Sequence, residues 1–119
     1  GLWYLSSKSP AFVGESFALL VASFASCTRV FRSDPGGAEL IEISAQGFAL
    51  DLTTLLCCTC SSGRLLQVFS SGARAIDNMS LNVLTEWASP CDQVVEIAAA
   101  TKHGALVGLQ HGEMLVLRV

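Results

Sequence analysis

Charged residues are scarce in this sequence. Lys, Arg, Asp and Glu make up 14% of the 119 residues, whereas about a quarter of the residues are charged in an average soluble domain. Hydrophobic residues make up 51%. Because so few charged residues are available to cover the surface, we expect part of that surface to pack against a neighbouring protein segment.

Long apolar runs are also missing. The longest uncharged run covers residues 16–28 and ends at Arg29, which is shorter than the roughly 18 apolar residues that a membrane-spanning helix needs. We therefore expect no membrane segment. The chain has no initiator Met and no targeting pattern, and its apolar ends indicate a fragment of a larger protein.

An excess of basic residues is lacking as well. Seven Lys and Arg stand against ten Asp and Glu, which gives a net charge of -3. A protein that binds duplex nucleic acid normally presents a basic stripe. The charge balance therefore counts against direct nucleic-acid binding.

The cysteines do not form a disulfide pattern. There are five of them, and Cys57, Cys58 and Cys60 lie within four positions of one predicted strand. Close neighbours in a strand do not readily bridge, so we expect reduced, intracellular thiols that pack as small hydrophobic side chains.

Short apolar runs separated by turn residues fill most of the chain. Turn signals include Asp34-Pro35-Gly36-Gly37 and the glycines at Gly63 and Gly72, and helix signals are weak throughout. We predict β-strands over residues 17–24, 27–32, 38–43, 54–60, 64–69, 73–77, 81–88, 94–100, 105–109 and 114–119. A short strand, or the approach to one, is predicted over 46–51, while 1–7 is an unassigned apolar piece.

The predicted strands repeat with a period of about forty residues. Phe17, Thr54 and Val94 begin comparable strands, and this is the period of a four-stranded propeller blade. The predicted fold is all-β: residues 1–119 form one fragment of a WD40-like β-propeller, with blade-like repeats at 16–51, 52–90 and 91–119. These are about two and a half blades, so the isolated fragment should be prone to aggregation unless its sheet edges are covered.

Residues capable of chemistry are few. A zinc site at the three clustered cysteines, or a thiol nucleophile with His103 or His111 as its base, lacks a ligand pair or a catalytic motif. The glycine turns could cradle an anion, but turn geometry requires such residues in any case. We predict no catalytic, cofactor-binding or metal-binding residue, and hence no enzyme and no cofactor.

Two tryptophans, Trp3 and Trp87, are the best candidates for a partner contact, because tryptophan is frequent in interface hot spots. Packing between blades uses aromatic residues equally well, and we favour packing for both. Three segments, 6–15, 34–37 and 77–80, are predicted blade-rim loops, where propellers bind partners. No partner-binding residue is assigned.

The order and spacing of several short motifs resemble one family. The resemblance spans nearly the whole chain, although no single motif is specific. The motifs are Gly1-Leu2-Trp3-x-Leu5, Phe17-x-Leu19, Ser23-Phe24, Thr28-Arg29-Val30, Gly47-Phe48, Thr54-Leu55, Leu66-Gln67-Val68, Arg74-x-Ile76 and Glu86-Trp87-x-x-Pro90. They resemble the start of the second β-propeller in the family of damage-specific DNA-binding protein 1, splicing factor 3b subunit 3 and the large subunit of the cleavage and polyadenylation specificity factor.

This resemblance implies a non-catalytic scaffold in the nucleus. Thr28-Arg29-Val30 favours the DNA-damage branch, which implies an adaptor of a cullin 4 RING ubiquitin ligase that binds cullin 4 and substrate-receptor proteins. By contrast, other motifs also suit the splicing branch, namely Leu65-Leu66-Gln67-Val68 followed by Gly72-x-Arg74, and the ending Gly112-Glu113-Met114-Leu115-Val116. That alternative implies a scaffold among splicing factor 3b or polyadenylation-factor subunits, associated with nucleic acid.

Overall fold

The described residues form eleven β-strands in three antiparallel sheets. The structure, a computed structural model, describes residues 1–8, 16–33 and 39–119, with side chains over 1–5, 18–33 and 39–119. The first sheet has the order β1-β2-β3-β4, with strands Leu2–Lys8, Ser16–Ser23, Thr28–Ser33 and Leu40–Ile43.

The second sheet has the order β5-β6-β7-β8, with strands Thr54–Thr59, Leu65–Phe69, Gly72–Ile76 and Val83–Ala88. The third sheet contains three strands, β9 (Val95–Thr101), β10 (Gly104–Leu109) and β11 (Met114–Arg118). A single 3₁₀ turn, Pro90–Asp92, connects β8 to β9. The all-β prediction is confirmed, and the ten strands outside 46–51 lie within two residues of their predicted ends.

The second sheet is the central layer of the molecule. Every residue of β6 is buried, and β7 is buried except at Arg74. One face contributes Cys57, Leu65 and Ile76 to a core shared with the first sheet. The other face contributes Leu66 and Val68 to a core shared with the third sheet. Both faces are covered by neighbouring sheets, so β6 is a nearly continuous apolar run instead of an alternation of polar and apolar residues.

The first strand of each sheet lies on the same side of the stack. Strands β1 and β9 both contact β5, while the outer strands β4 and β8 are largely exposed. This is the arrangement of propeller blades, whose first strands surround a common axis.

Two sequence expectations need correction. Residues 46–51 form turns and no strand. The fourth member of the first sheet is instead β1, in the apolar piece left unassigned, which pairs with β2 from Leu2 opposite Ala22 to Lys8 opposite Ser16. A strand is stabilised by its hydrogen bonds to another strand, and the short apolar pattern of residues 1–7 does not by itself show that such a partner exists. The predicted repeat boundaries at 16–51, 52–90 and 91–119 stay a prediction.

The turns at 46–51 have a packing role. Gly47 N–H donates a hydrogen bond to the Leu81 carbonyl oxygen at 3.1 Å, and a Cβ atom at Gly47 would lie 2.1 Å from that oxygen. Only glycine allows so close an approach. Phe48, next in the chain, is then buried in the core between the first and second sheets.

Candidate interaction surfaces

The clustered cysteines lie in the packed interior around β5. Cys57 faces the first sheet and is 3% exposed, whereas Cys58 and Cys60 pack in the core shared with the third sheet. This is the alternation that successive residues of a β-strand adopt. Burial raises the pKa of the Cys57 and Cys60 thiols, and it raises the pKa of Cys58 to about 12. These thiols are protonated at neutral pH, and a protonated thiol is a weak nucleophile and metal ligand.

The two histidines lie in exposed turns, as their neighbouring glycines predict. His103, between β9 and β10, has its Nδ1 atom 2.7 Å from Ser61 Oγ, and Ser61 N–H donates to the Lys102 carbonyl oxygen at 2.9 Å. His103 therefore helps to join a turn of the second sheet to a turn of the third. Within the described residues, no group of three or more His, Cys, Asp or Glu side chains is arranged to hold a metal ion.

The glycine turns that suggested an anion site fall into two groups. Gly63 N–H donates to the Cys60 carbonyl oxygen at 2.9 Å, so that amide already has a partner. Residues 6–8 of the predicted rim loop at 6–15 instead form the end of β1, so that part of the prediction was wrong. The rest of this loop and the predicted turn at 34–37 lie outside the described residues. The third predicted rim loop, 77–80, is a tight turn in which Asp77 accepts hydrogen bonds from the backbone and hydroxyl of Ser80.

The outer face of the first sheet is apolar and uncovered. Leu2 and Tyr4 on β1 are 65% and 69% exposed, and the strand register places them on the face opposite the core. Arg29 and Glu42, 2.6 Å apart, form an ion pair on the outer half of the same face, and the guanidinium lies 5.2 Å from the Phe31 ring centroid. We call this surface the first outer face.

The opposite end of the stack presents a similar surface, the third outer face. Leu106 on β10 pairs with Ala99 on β9 and Val116 on β11, so these side chains lie on one face of the third sheet. Ile97 is 63% exposed and Val116 62% exposed. Apolar faces of this kind on a soluble protein indicate surfaces that another element covers.

The two tryptophans lie in different surroundings, and one of them also lines an open groove. Trp3 packs, partly buried, against the core between the first two sheets, as favoured from the sequence. Trp87 on β8 packs against the second core but also lines an open groove of about 430 Å³ beside β11. Arg64 and Thr85 line the same groove, which we call the Trp87 groove.

The charges next to this groove are partly neutralised. Arg74 Nε lies 2.9 Å from Glu86 Oε1, but the N–H is not aligned with that oxygen, so the contact is an ion pair without a good hydrogen bond. Arg74 also donates to the Gly47 carbonyl oxygen at 3.3 Å.

Sequence inspection missed Gln67, a buried polar residue with three side-chain hydrogen bonds. It is fully buried in the centre of β6, and its side chain bonds the backbone N–H and C=O of Ala49 at 2.8 and 3.2 Å and Thr54 Oγ1 at 2.9 Å. A glutamine inside the apolar run of residues 65–69 was the available signal. Buried amides require partners, so the sequence already implied one.

The described residues also include no helix long and apolar enough to cross a membrane. What the chain presents is three stacked antiparallel sheets whose first strands adjoin, with packed thiols inside and apolar faces at both ends. The fold and these surfaces are those of a part of a β-propeller that packs against other protein segments.

Comparison with known proteins gives the family. The sequence profile of the RSE1/DDB1/CPSF1 second beta-propeller matches residues 1–119, and the chain belongs to this family. The resemblance inferred from the sequence motifs is therefore confirmed.

Individual relatives come from plants. DNA damage-binding protein 1a of Arabidopsis thaliana is 29% identical over 120 residues, which is 100% of this chain and 11% of the relative. DNA damage-binding protein 1 of Solanum lycopersicum and that of Oryza sativa subsp. japonica are each 29% identical over 119 residues, again 100% of this chain and 11% of the relative. The chain thus spans about a tenth of the length of these curated relatives.

Proposed function

We propose that the chain is a non-catalytic protein-interaction scaffold that supplies blades of a β-propeller in a longer protein. The observation that carries this proposal is the pair of uncovered apolar faces at the two ends of the stack, with Tyr4 at one end and Ile97 at the other. Propellers contain about four to eight blades, and three sheets are described here. The first partners of these faces are the remaining blades of the same protein.

The proposed longer protein is the adaptor subunit of a cullin 4 RING ubiquitin ligase that acts in DNA repair in the nucleus. In support, the relatives reported above carry the name DNA damage-binding protein 1, and Thr28-Arg29-Val30 favours the same branch of the family. Its further partners are cullin 4 and substrate-receptor proteins. No chemical step is assigned to the chain, because its clustered thiols are protonated and packed.

Affinity purification of the longer protein tests this proposal. We expect cullin 4 to be recovered with it, and substrate receptors to be recovered in smaller amounts. Recovery of splicing factor 3b or polyadenylation-factor subunits without cullin 4 would contradict the adaptor proposal and favour a scaffold in pre-mRNA processing.

A matched pair of variants tests whether recovery of cullin 4 depends on the third outer face. Ile97→Glu with Val116→Glu places two carboxylates on the third outer face and should reduce cullin 4 recovery, because blade packing is disturbed. Lys102→Glu with His111→Glu changes charge in exposed turns outside that face and should leave recovery unchanged.

Direct nucleic-acid binding by these blades is not part of the proposal. The net charge of -3 gives no electrostatic attraction to a phosphate backbone. Filter binding at low salt should therefore retain little duplex DNA. Strong retention that falls steeply as salt rises would contradict this view.

A further inference from the structure

The connection between β8 and β9 contains a Ser-Pro motif. Ser89 and Pro90 directly follow the end of β8, and proline-directed protein kinases require a proline immediately after the serine that they modify. The sequence contains one other such pair, Ser9-Pro10, which lies outside the described residues. Ser89 is therefore the Ser-Pro position whose surroundings the structure defines.

The backbone at Ser89 has the shape that a kinase substrate needs. Its φ of -64° and ψ of 141° are extended, as expected of a residue that precedes proline, and protein kinases bind their substrate segments in an extended form. Ser89 is partly exposed, and the three residues that follow it are exposed. A kinase can therefore reach this segment by opening one turn, without unfolding a sheet.

The Ser89 hydroxyl closes this turn. It donates a hydrogen bond to the Gln93 carbonyl oxygen, and Gln93 N–H donates to the Pro90 carbonyl oxygen at 3.0 Å. Between these bonds, Cys91 and Asp92 have positive φ angles of 53° and 55°, which are unfavourable for residues with a Cβ atom. A strained turn is thus held by few hydrogen bonds, and one of them uses the Ser89 hydroxyl proton.

The same connection fastens the third sheet to the second. Ser89 N–H donates to the Ser71 carbonyl oxygen at 3.0 Å, and Val95 N–H donates to that of Ser70 at 2.8 Å. Ser70 and Ser71 form the turn between β6 and β7, whereas Val95 begins β9. Opening of the turn at 89–93 therefore loosens the attachment of β9 to the second sheet.

We propose that Ser89 is a phosphorylation site for a kinase of the mitogen-activated class, and that the phosphate opens the turn at 89–93. Ser89 Oγ bonds to the γ-phosphorus of ATP while the bond from that phosphorus to the bridging oxygen breaks. The hydroxyl proton passes to the catalytic base of the kinase, and ADP leaves. This site is independent of the partners that the longer protein binds.

Phosphorylation acts on the turn in two ways. Phosphoserine has no hydroxyl proton to donate to the Gln93 carbonyl oxygen, so the bond that closes the turn is lost. The phosphate also adds a charge of about -1.5 to -2 three residues before the exposed Asp92 carboxylate. Loss of the donor and repulsion between like charges both favour the open turn.

Treatment of the purified longer protein with an activated mitogen-activated protein kinase and Mg²⁺-ATP tests the site. This class is the probe because cyclin-dependent kinases favour a basic residue where Asp92 stands. Mass spectrometry should find phosphate on Ser89 in wild type and at least about tenfold less in Pro90→Ala, which keeps the hydroxyl and removes the motif. Phosphate on Ser9 alone, or equal phosphorylation of Ser89 in the two proteins, would overturn the proposal.

Hydrogen exchange tests the effect on the turn. We expect the amides of Gln93 and Val95 to exchange at least about tenfold faster after phosphorylation, while the amide of Val68 in the buried strand β6 stays unchanged. Ser89→Ala, which removes the donor without adding charge, should accelerate the same two amides to a smaller extent. Unchanged exchange at Gln93 and Val95 in the phosphorylated protein, or in Ser89→Ala, would overturn the proposal.

The two proposals fail separately. Recovery of cullin 4 by a protein that is not phosphorylated on Ser89 would remove this inference and leave the adaptor function intact. Phosphorylation and opening of the turn in a protein that recovers no cullin 4 would do the reverse.

Discussion

Gln67 anchors the connection between the first two sheets through a chain of buried hydrogen bonds. Its side-chain amide donates to Thr54 Oγ1, and Thr28 donates to the Leu52 carbonyl oxygen at 2.7 Å. The hydroxyl oxygens of Thr28 and Thr54 are 2.7 Å apart. Because the Thr28 hydroxyl already donates its single proton to the Leu52 carbonyl oxygen, Thr54 is the donor in the bond between the two hydroxyls. Such chains hold the connecting segment in place because each member would be unsatisfied without the next.

Replacing Gln67 should destabilise the protein strongly. Gln67→Leu keeps the side-chain size but leaves the N–H and C=O of Ala49 buried without a partner. We expect the free energy of unfolding to fall by about 2–4 kcal/mol. Urea unfolding followed by tryptophan fluorescence measures this, with Gln110→Leu at an exposed turn as the control, expected to change stability by less than about 0.5 kcal/mol.

Four of the five cysteines should divide into one reactive thiol and three protected ones. Cys91 is exposed in the turn between β8 and β9, whereas Cys57 and Cys60 are buried. We expect iodoacetamide at pH 8 to label Cys91 in the folded protein and to reach Cys57, Cys58 and Cys60 only on unfolding. Mass spectrometry of the digested protein gives the extent at each site. Equal labelling rates at all four positions would contradict the packing described here.

The raised thiol pKa values also predict a dependence of stability on pH. An unfolded thiol ionises near pH 8.5, about its unperturbed value, but burial keeps Cys57 protonated in the folded protein. The unfolded state therefore binds fewer protons above that pH, and stability falls as pH rises. Between pH 7.5 and 9.5, we expect wild type to lose about 1 kcal/mol more than Cys57→Val. An identical loss in the two proteins, measured by urea unfolding, would count against this account.

At the scale of the elements, the connection of residues 44–53 fastens the first sheet to the second. It contributes the buried side chains of Ala45 and Phe48 and the contact between Gly47 and Leu81. Leu81 adopts a positive φ of 59°, which a leucine rarely does. Its carbonyl oxygen accepts the Gly47 N–H, and its side chain is buried in the same core.

Substitution at Gly47 should disturb the contact between the connection 44–53 and Leu81. In Gly47→Ala, the added methyl group would lie 2.1 Å from the Leu81 carbonyl oxygen, so one backbone segment must move. We expect a loss of about 1–3 kcal/mol, visible as a lower Tm. Gln46→Ala, at the exposed neighbouring position, is the control and should leave Tm nearly unchanged. A Tm for Gly47→Ala equal to that of the control would show that this contact contributes little.

At the scale of the whole molecule, both ends of the stack present apolar sheet faces. Among the described residues, the second sheet alone has both of its faces covered by other sheets. The first outer face keeps one ion pair, Arg29 with Glu42, while the third outer face carries Ile97, Leu106 and Val116. An isolated chain of 119 residues has to leave these faces in water or associate.

Association of the isolated chain is therefore expected. Sedimentation velocity should show species larger than a monomer, and Ile97→Glu with Val116→Glu should shift the distribution toward the monomer by placing charge on the third outer face. Lys102→Glu with His111→Glu is the control and should not. A monomeric profile with a cooperative thermal transition for the unmodified chain would contradict the proposed role of these faces.

The amino-acid sequence by itself determined ten of the eleven described strands, the turns between them and the alternation of the cysteine side chains. These features depend on neighbours along the chain: apolar residues at alternate positions, turn residues such as Gly63, and the opposite directions of successive side chains in β5. The all-β class and the period of about forty residues follow from the same local signals.

Only the tertiary structure decided which segments meet. It brought Leu2–Lys8 into the first sheet, kept 46–51 as turns and enclosed Gln67 between Ala49 and Thr54. The two bonds of Gln67 join residues 18 and 13 positions apart, and the free energy of such contacts comes from packing and hydrogen bonding between separate segments. The local pattern does not show which distant segments will pair, so the outer faces become evident only when the sheets are stacked.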